Sequence, residues 1–207
     1  GLSAVLLVYS VSQWSRLQSP ILSLVLAGVA ISALFGAGIS LVKILADPYR
    51  DLPTMTFWML GSLNGVNMAD LSKALPILLI SLLPLVLLRW RMNLLSLDDD
   101  EALALGVNIV HLRLLFIIAA TLMTAATVSL TGMIGWIGLI IPHMARLIVG
   151  PDFRRLLPAS LCMGAIFLLV ADTLARTLFA VEMPLRIITT LVGAPFFLAL
   201  LIRGEAR

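Results

Sequence analysis

Residues 132–158 read "GMIGWIGLIIPHMARLIVGPDFRRLLP". From Ile134 to Val149 the side chains are apolar almost without a break, yet Pro142, His143 and Arg146 stand among them. Gly150 and Pro151 end the run. Asp152, Arg154 and Arg155 then bring charge at once, before Pro158 opens another apolar stretch. A half-solvated helix would show apolar positions recurring at i, i+3 and i+4, which a continuous run does not. The fitting reading is a chain that leaves one solvent for another. A short membrane helix ends near Arg146, the chain turns in water, and Pro158 starts the next helix. Pro142 bends the first helix at its exit.

Composition extends this reading to the whole chain. Of 207 residues, 61% are hydrophobic and 12% charged, and the mean hydropathy is +1.10. A soluble domain is nearer half apolar and a quarter charged. The net charge of +3 is spread along the chain rather than clustered, so it is not a nucleic-acid footprint. Cys162 is the single cysteine; it permits no intrachain disulfide, and its apolar surroundings predict a small buried hydrophobe.

A spanning helix needs about 20 apolar residues. Complete candidates are Pro20 to Leu45, Ala74 to Leu88, Leu112 to Leu130, Ile134 to Val149, Pro158 to Ala180 and Leu185 to Ile202. Leu2 to Val11 is shorter and has no basic region before it. It reads as the tail of a spanning helix, so the expectation is a fragment of a longer protein. The runs are continuous rather than alternating, which selects an all-α bundle over a β-barrel. The whole chain, 1–207, is taken as one transmembrane domain.

The longest polar connection, 46–73, contains "LPTMTFWMLGSLNGV" at 52–66. It predicts a short interfacial helix with Trp58 in the aromatic belt, ending near Gly61 to Gly65. If each span flips sides, Arg16, Arg89, Arg91, Arg113, Arg146, Arg154, Arg155, Arg203 and Arg207 share one side of the membrane. The smaller set is Lys43, Arg50, Lys73, Arg176 and Arg186. The richer side is cytoplasmic. That places the C-terminus and the loop 93–108 inside and the connection 46–73 outside.

Several stretches in order resemble the FecCD-type permease family of ABC importers for iron chelates and vitamin B12. They are "LVLAGVAISALFGA" (24–37), "FWMLGSLNGV" (57–66), "MNLLSLDDDEALALGVNI" (92–109), the opening stretch, "LLVADTLARTL" (168–178) and "MPLRIITTLVGAPFFLALLIR" (183–203). The resemblance covers essentially all of the chain, and implies roughly the last three-fifths of a ten-helix permease. It departs from the family at Asp98, Asp99 and Asp100, which make the loop unusually acidic, and at Arg186, where a small residue is common. It implies two permease subunits, in a homodimer, forming a pathway in a bacterial inner membrane. Two cytoplasmic ATPases would drive it, and a periplasmic binding protein would deliver an iron siderophore or a related metal complex. ATP and Mg would be bound by the partners, leaving this chain no cofactor and no covalent chemistry. Cobalamin, haem and oxyanion importers share the pattern.

The residues themselves offer four places for function. The loop segment "LSLDDDEALALG" (95–106) reads as a short helix capped by Asp98 or Asp99 and stopped by Gly106. Leu94, Leu95, Leu97, Leu103 and Leu105 are apolar where a solvated loop would be polar, so a partner is expected. By resemblance this is the coupling element to the ATPase, involving Leu95, Leu97, Asp99, Asp100, Glu101, Ala102, Leu103, Leu105 and Gly106. Asp172 and Arg176 are i and i+4, on one helix face. From Pro158 to Arg176 the rise is roughly 27 Å, so Arg176 snorkels near the outer surface. By resemblance it docks the binding protein, with Asp172 orienting it; a purely structural pair is the alternative. Gly28, Ser32, Gly36 and Ser40 form a ladder of small residues, either close helix packing or, by resemblance, a pathway lining. In "TTLVGAPFF" (189–197), Thr189, Gly193 and Pro195 mark either a packed kink or a pathway wall.

His111 and His143, each single, make no metal site. Three rivals fit less well. An ion-coupled secondary carrier needs an unpaired mid-membrane acid, and Asp172 has Arg176 beside it. An intramembrane enzyme needs a metal motif or an activated nucleophile. A purely structural subunit would not need apolar residues in a cytoplasmic loop.

Overall fold

The computed structural model describes residues 1–14, 20–96, 106, 109–178 and 183–204. The described residues form helices and connections. In order these are α1 (Leu2–Trp14), α2 (Pro20–Leu45), α3 (Asp51–Leu60), α4 (Met68–Leu87), a 3-10 helix (Arg89–Ser96), α5 (Ile109–Thr131), α6 (Ile137–Val149), α7 (Phe153–Thr177) and α8 (Leu185–Gly204). The chain divides into two compact units, 1–56 and 57–207, with the division inside α3.

In the first unit α1 packs on α2, and the Ser23 hydroxyl donates to the Ser12 carbonyl at 3.2 Å. Asp47 then sets the entry to α3. Its Oδ1 accepts from the backbone N–H groups of Tyr49 (2.8 Å) and Arg50 (3.1 Å), an Asx turn that points the chain into a helix.

In the second unit α4 and α5 form the most extensive pair, α6 lies on α7, and α8 meets both. Leu85, Leu112, Phe116 and Ala119 make one buried cluster, with Leu88, Met92, Leu95 and Met123 against it. Ala171, Ala175, Leu185 and Ile188 make the other, flanked by Leu63, Ile134 and Met183.

Three helices begin earlier than expected: α5 at Ile109 rather than Leu112, and two others for a shared reason. Asn67 caps α4 by accepting from the Asp70 N–H (2.9 Å), so the helix starts at Met68 rather than Ala74. Asp152 caps α7 by accepting from the Arg154 N–H (3.0 Å), so Phe153 is its first residue and Pro158 lies inside it. A side-chain cap satisfies an orphan donor of the first turn, which prolines further along do not undo. α6 begins later than expected, at Ile137, because Trp136 before it is left-handed (φ 65°).

Among the described residues four helices are long and apolar enough to cross a membrane: Leu22–Leu45, Met68–Leu87, Ile109–Thr131 and Phe153–Thr177. The sequence had offered six complete spans. α6 has 13 residues, about 20 Å of rise against a hydrocarbon core of roughly 30 Å. Its approach, Gly132 to Trp136, is irregular but buried or half-buried in protein, which is where such backbone is tolerated at membrane depth.

Most of the apolar surface faces outward. Ile80 is 68% exposed, Leu169 68% and Ile166 62%. Cys162 is exposed as well, not buried as its surroundings predicted. In water such faces would collapse together; in lipid they are already in their solvent. The protein is a multi-pass membrane protein.

Candidate coupling and docking sites

One candidate site gathers around Arg176. Its Nε donates to Asp172 Oδ2 at 2.9 Å, as the i, i+4 spacing predicts. Its Nη1 donates to Asn64 Oδ1 at 3.1 Å, across 112 residues. The Arg176 side chain remains 44% exposed and that of Asp172 22%, so the guanidinium is oriented but still accessible. Asn64 is the residue that sequence reasoning missed. It sits in an Asn-Gly turn of the α3–α4 connection, and nothing in the periodicity ties that turn to α7.

The turn is held by backbone. Ser62 N donates to Thr131 O (2.9 Å), and Leu185 N donates to Gly61 O (3.0 Å). The α3–α4, α5–α6 and α7–α8 connections are thereby joined main chain to main chain. Two glycines make this possible. Gly132 has φ 69°, and a Cβ there would lie 2.0 Å from the Trp58 carbonyl oxygen; Gly61 has φ 72°, with a Cβ 2.8 Å from the Met133 oxygen. Only glycine fits a left-handed backbone with a carbonyl that close. Beside this junction lies an open cleft of about 690 Å³, lined by Phe57, Trp58, Asn64, Thr131, Met183 and Pro184 among others.

The second candidate site is where the loop leaves the 3-10 helix. Asn93 Nδ2 donates to Asp152 Oδ1 (2.8 Å), and Asn93 Oδ1 accepts from the Phe153 N–H (3.0 Å). The Arg154 N–H and the Asn93 amide hold the Asp152 carboxyl below the usual carboxylate value, helped by the charges of Arg154 and Arg155 and opposed by partial burial. Leu95 packs on the Leu85–Phe116 cluster, so its hydrophobicity has an intramolecular explanation. Gly106 is exposed at a left-handed turn (φ 73°). Leu97, Asp98, Asp99, Asp100, Glu101, Ala102, Leu103 and Leu105 lie outside the described residues.

On α8, Thr189 is fully buried and its hydroxyl donates to the Arg186 carbonyl. Gly193 is buried where a Cβ would lie 2.4 Å from Ile140 Cδ1 and 2.8 Å from Trp136 Cβ. Trp136 also meets the Phe197 ring at 6.1 Å between centroids. Within this chain Gly193 packs against Ile140 of α6 and against Trp136, and Pro195 is exposed. In the first unit Gly28 is half-buried, Ser32, Gly36 and Ser40 are exposed, and a Cβ at Gly28 or Gly36 would touch nothing within 4 Å. The ladder is therefore not spent on close packing in that unit. Among the described residues no group of histidine, cysteine and acidic side chains could hold a metal ion.

The helices and their outward apolar faces define a polytopic membrane protein. Residues 1–203 match the FecCD transport family, and the chain belongs to that family. It is 46% identical over 187 residues to a Helicobacter pylori protein named "Probable iron chelatin transport system permease protein", covering 90% of this chain and 57% of that one. It is 43% identical to the molybdate import system permease protein MolB of Haemophilus influenzae (87% and 53% covered). It is 40% identical to the cobalamin import system permease protein BtuC of Halobacterium salinarum (100% and 55%). A solved structure, "An inward-facing conformation of a putative metal-chelate type ABC transporter", is 39% identical with a TM-score of 0.89, covering 98% of this chain and 64% of that one. The chain spans little more than half the length of these curated relatives.

Proposed function

We propose that this chain is part of the permease subunit of a binding-protein-dependent ABC importer that carries an iron siderophore or a related metal complex across a bacterial inner membrane. The observation that carries the reading is the family match over residues 1–203. The cargo is taken from the 46% identical relative's name; cobalamin and molybdate, named for other relatives, are the alternatives. The richer basic set of helix ends is cytoplasmic, as is the C-terminus.

The permease works with a second copy of itself, two cytoplasmic ATPases that bind ATP and Mg, and a periplasmic binding protein. It performs no covalent step. Its part is to offer two accesses to one pathway, alternately. The loop 93–108 receives the ATPase stroke through Leu97 and the residues that follow. Arg176, aimed by Asp172 and Asn64, meets a carboxylate of the binding protein. The unpacked Gly28–Ser40 face supports a place for α2 beside the pathway or the second copy.

The test is uptake of a radio-iron siderophore into vesicles carrying the full-length permease, its ATPase and its binding protein. Uptake that requires ATP inside is expected. Uptake driven by a proton gradient without the ATPase would overturn the reading. In the same vesicles Arg176→Glu should reduce binding-protein stimulation of ATP hydrolysis roughly tenfold or more, as loss of an oriented interfacial charge does. Unchanged stimulation would refute the docking role.

A further inference from the structure

We propose that Asn93 is a positioning residue for coupling: it clamps the base of the loop between α4 and α5 to the first turn of α7. The inference rests on the coupling reading above and adds to it the route by which loop motion reaches the membrane helices.

A helix N-terminus has donors that no internal carbonyl can satisfy. At the start of α7 the first two are divided between two segments. Arg154 N–H goes to Asp152, the helix's own cap, and Phe153 N–H goes to Asn93, which is 60 residues away in sequence. The same Asn93 amide donates to Asp152. Both ends of one carboxamide are therefore used on the α6–α7 turn, which fixes its orientation as well as its distance. Asn93 is itself braced, because Met92 and Leu95 on either side pack into the Leu85–Phe116 cluster of α4 and α5.

The consequence is mechanical. A force arriving through the loop reaches α4 and α5 by packing, and reaches α7 by the Asn93 clamp. α7 has 25 residues, so it is about 37 Å long, and it carries Asp172 and Arg176 at its other end. One rigid element thus joins the loop's anchor to the candidate docking arginine. A polar clamp suits this role because it has a defined geometry and yields in a discrete step, whereas apolar contacts slide.

The experiment uses the full-length permease assembled with its ATPase in nanodiscs, with Mg-ATP plus vanadate as the probe. Hydrogen exchange is followed in residues 109–116, next to the far end of the loop, and in 153–162, the first turns of α7. In the wild type, nucleotide should change both. Asn93→Ala should leave the change in 109–116 and lose most of that in 153–162, while exchange of the first-turn amides rises roughly tenfold without nucleotide. Asn93→Asp sets two carboxylates against each other and should behave likewise. The swap Asn93→Asp with Asp152→Asn restores a donor–acceptor pair and should recover the response of 153–162. This recovery also keeps the test decisive if Asn93→Ala fails to assemble.

A nucleotide response in 153–162 that survives Asn93→Ala or Asn93→Asp overturns the clamp and leaves a merely stabilising bond. So does a swap that recovers thermal stability but not the response. A wild-type complex in which nucleotide alters neither segment overturns the coupling reading, and the clamp with it.

Discussion

At the residue scale, the clearest demands fall on single backbone positions. Gly132→Ala places a methyl 2.0 Å from a carbonyl oxygen on a left-handed backbone, and should cost about 2–4 kcal/mol. Gly138→Ala, where a Cβ meets nothing within 4 Å, should be neutral or slightly stabilising in a helix. Thermal unfolding in detergent, read by size-exclusion fluorescence, separates the two; equal midpoints would refute the junction. Asp152 carries a pH signature. Its folded-state pKa lies below the usual 3.8, so its stabilising contribution is complete above that value and is lost as the pH falls through the lowered one. The difference in unfolding midpoint between wild type and Asp152→Asn should be constant from pH 7 to about 5 and shrink below about 4. A difference that grows on acidification would contradict the assignment. The constraint on Gly132 could not be read from sequence, because it comes from the Trp58 carbonyl on a different helix end. The Asp172–Arg176 pair could, because its spacing is local.

At the element scale, runs of apolar residues located the helices well, and their starts less well. Pro158 and Ala74 looked like beginnings because proline and the onset of hydrophobicity are visible in one dimension. The true beginnings are Asp152 and Asn67, whose caps are visible only when a donor is seen to lie beside them. Likewise Ile134 to Val149 has the composition of a short span, but left-handed Trp136 delays the helix, and α6 is covered by α7 and α8. At Gly193 of α8 there is no room for a Cβ beside Ile140 of α6. Gly193→Ala should therefore destabilise by about 1–3 kcal/mol through overpacking. Gly36→Ala, with open space around it, should leave unfolding unchanged or improved while lowering transport if α2 lines the route. Unfolding midpoints of the two variants, measured side by side, check the contrast; a stable Gly193→Ala would mean that α6 and α8 do not pack as described.

At the scale of the whole molecule, the governing fact is that its greasy surface points outward. The composition announced a membrane protein, but the rule that apolar residues are buried misled for Cys162. That rule assumes water outside. As the single cysteine of these 207 residues, Cys162 is also a ready probe once any cysteine elsewhere in the full-length protein is replaced. A nitroxide attached there, in full-length protein in a bilayer, should collide far more often with dissolved oxygen than with a water-soluble nickel chelate; the opposite ranking would put that face of α7 in water. The loop residues 97–105 and the pairing of Asn64 with Arg176 were legible to different degrees for the same reason. Hydrophobicity marks where a partner is needed, but not which one, and a polar bond across 112 residues leaves no trace in local pattern.

The junction of Gly61, Gly132 and Leu185 has an evolutionary corollary. Its bonds run between amides and carbonyls, which every residue but proline can supply. Side chains around that rim are therefore free to drift, and a lineage can retune what it recognises there without redrawing the scaffold, provided two positions never acquire a side chain.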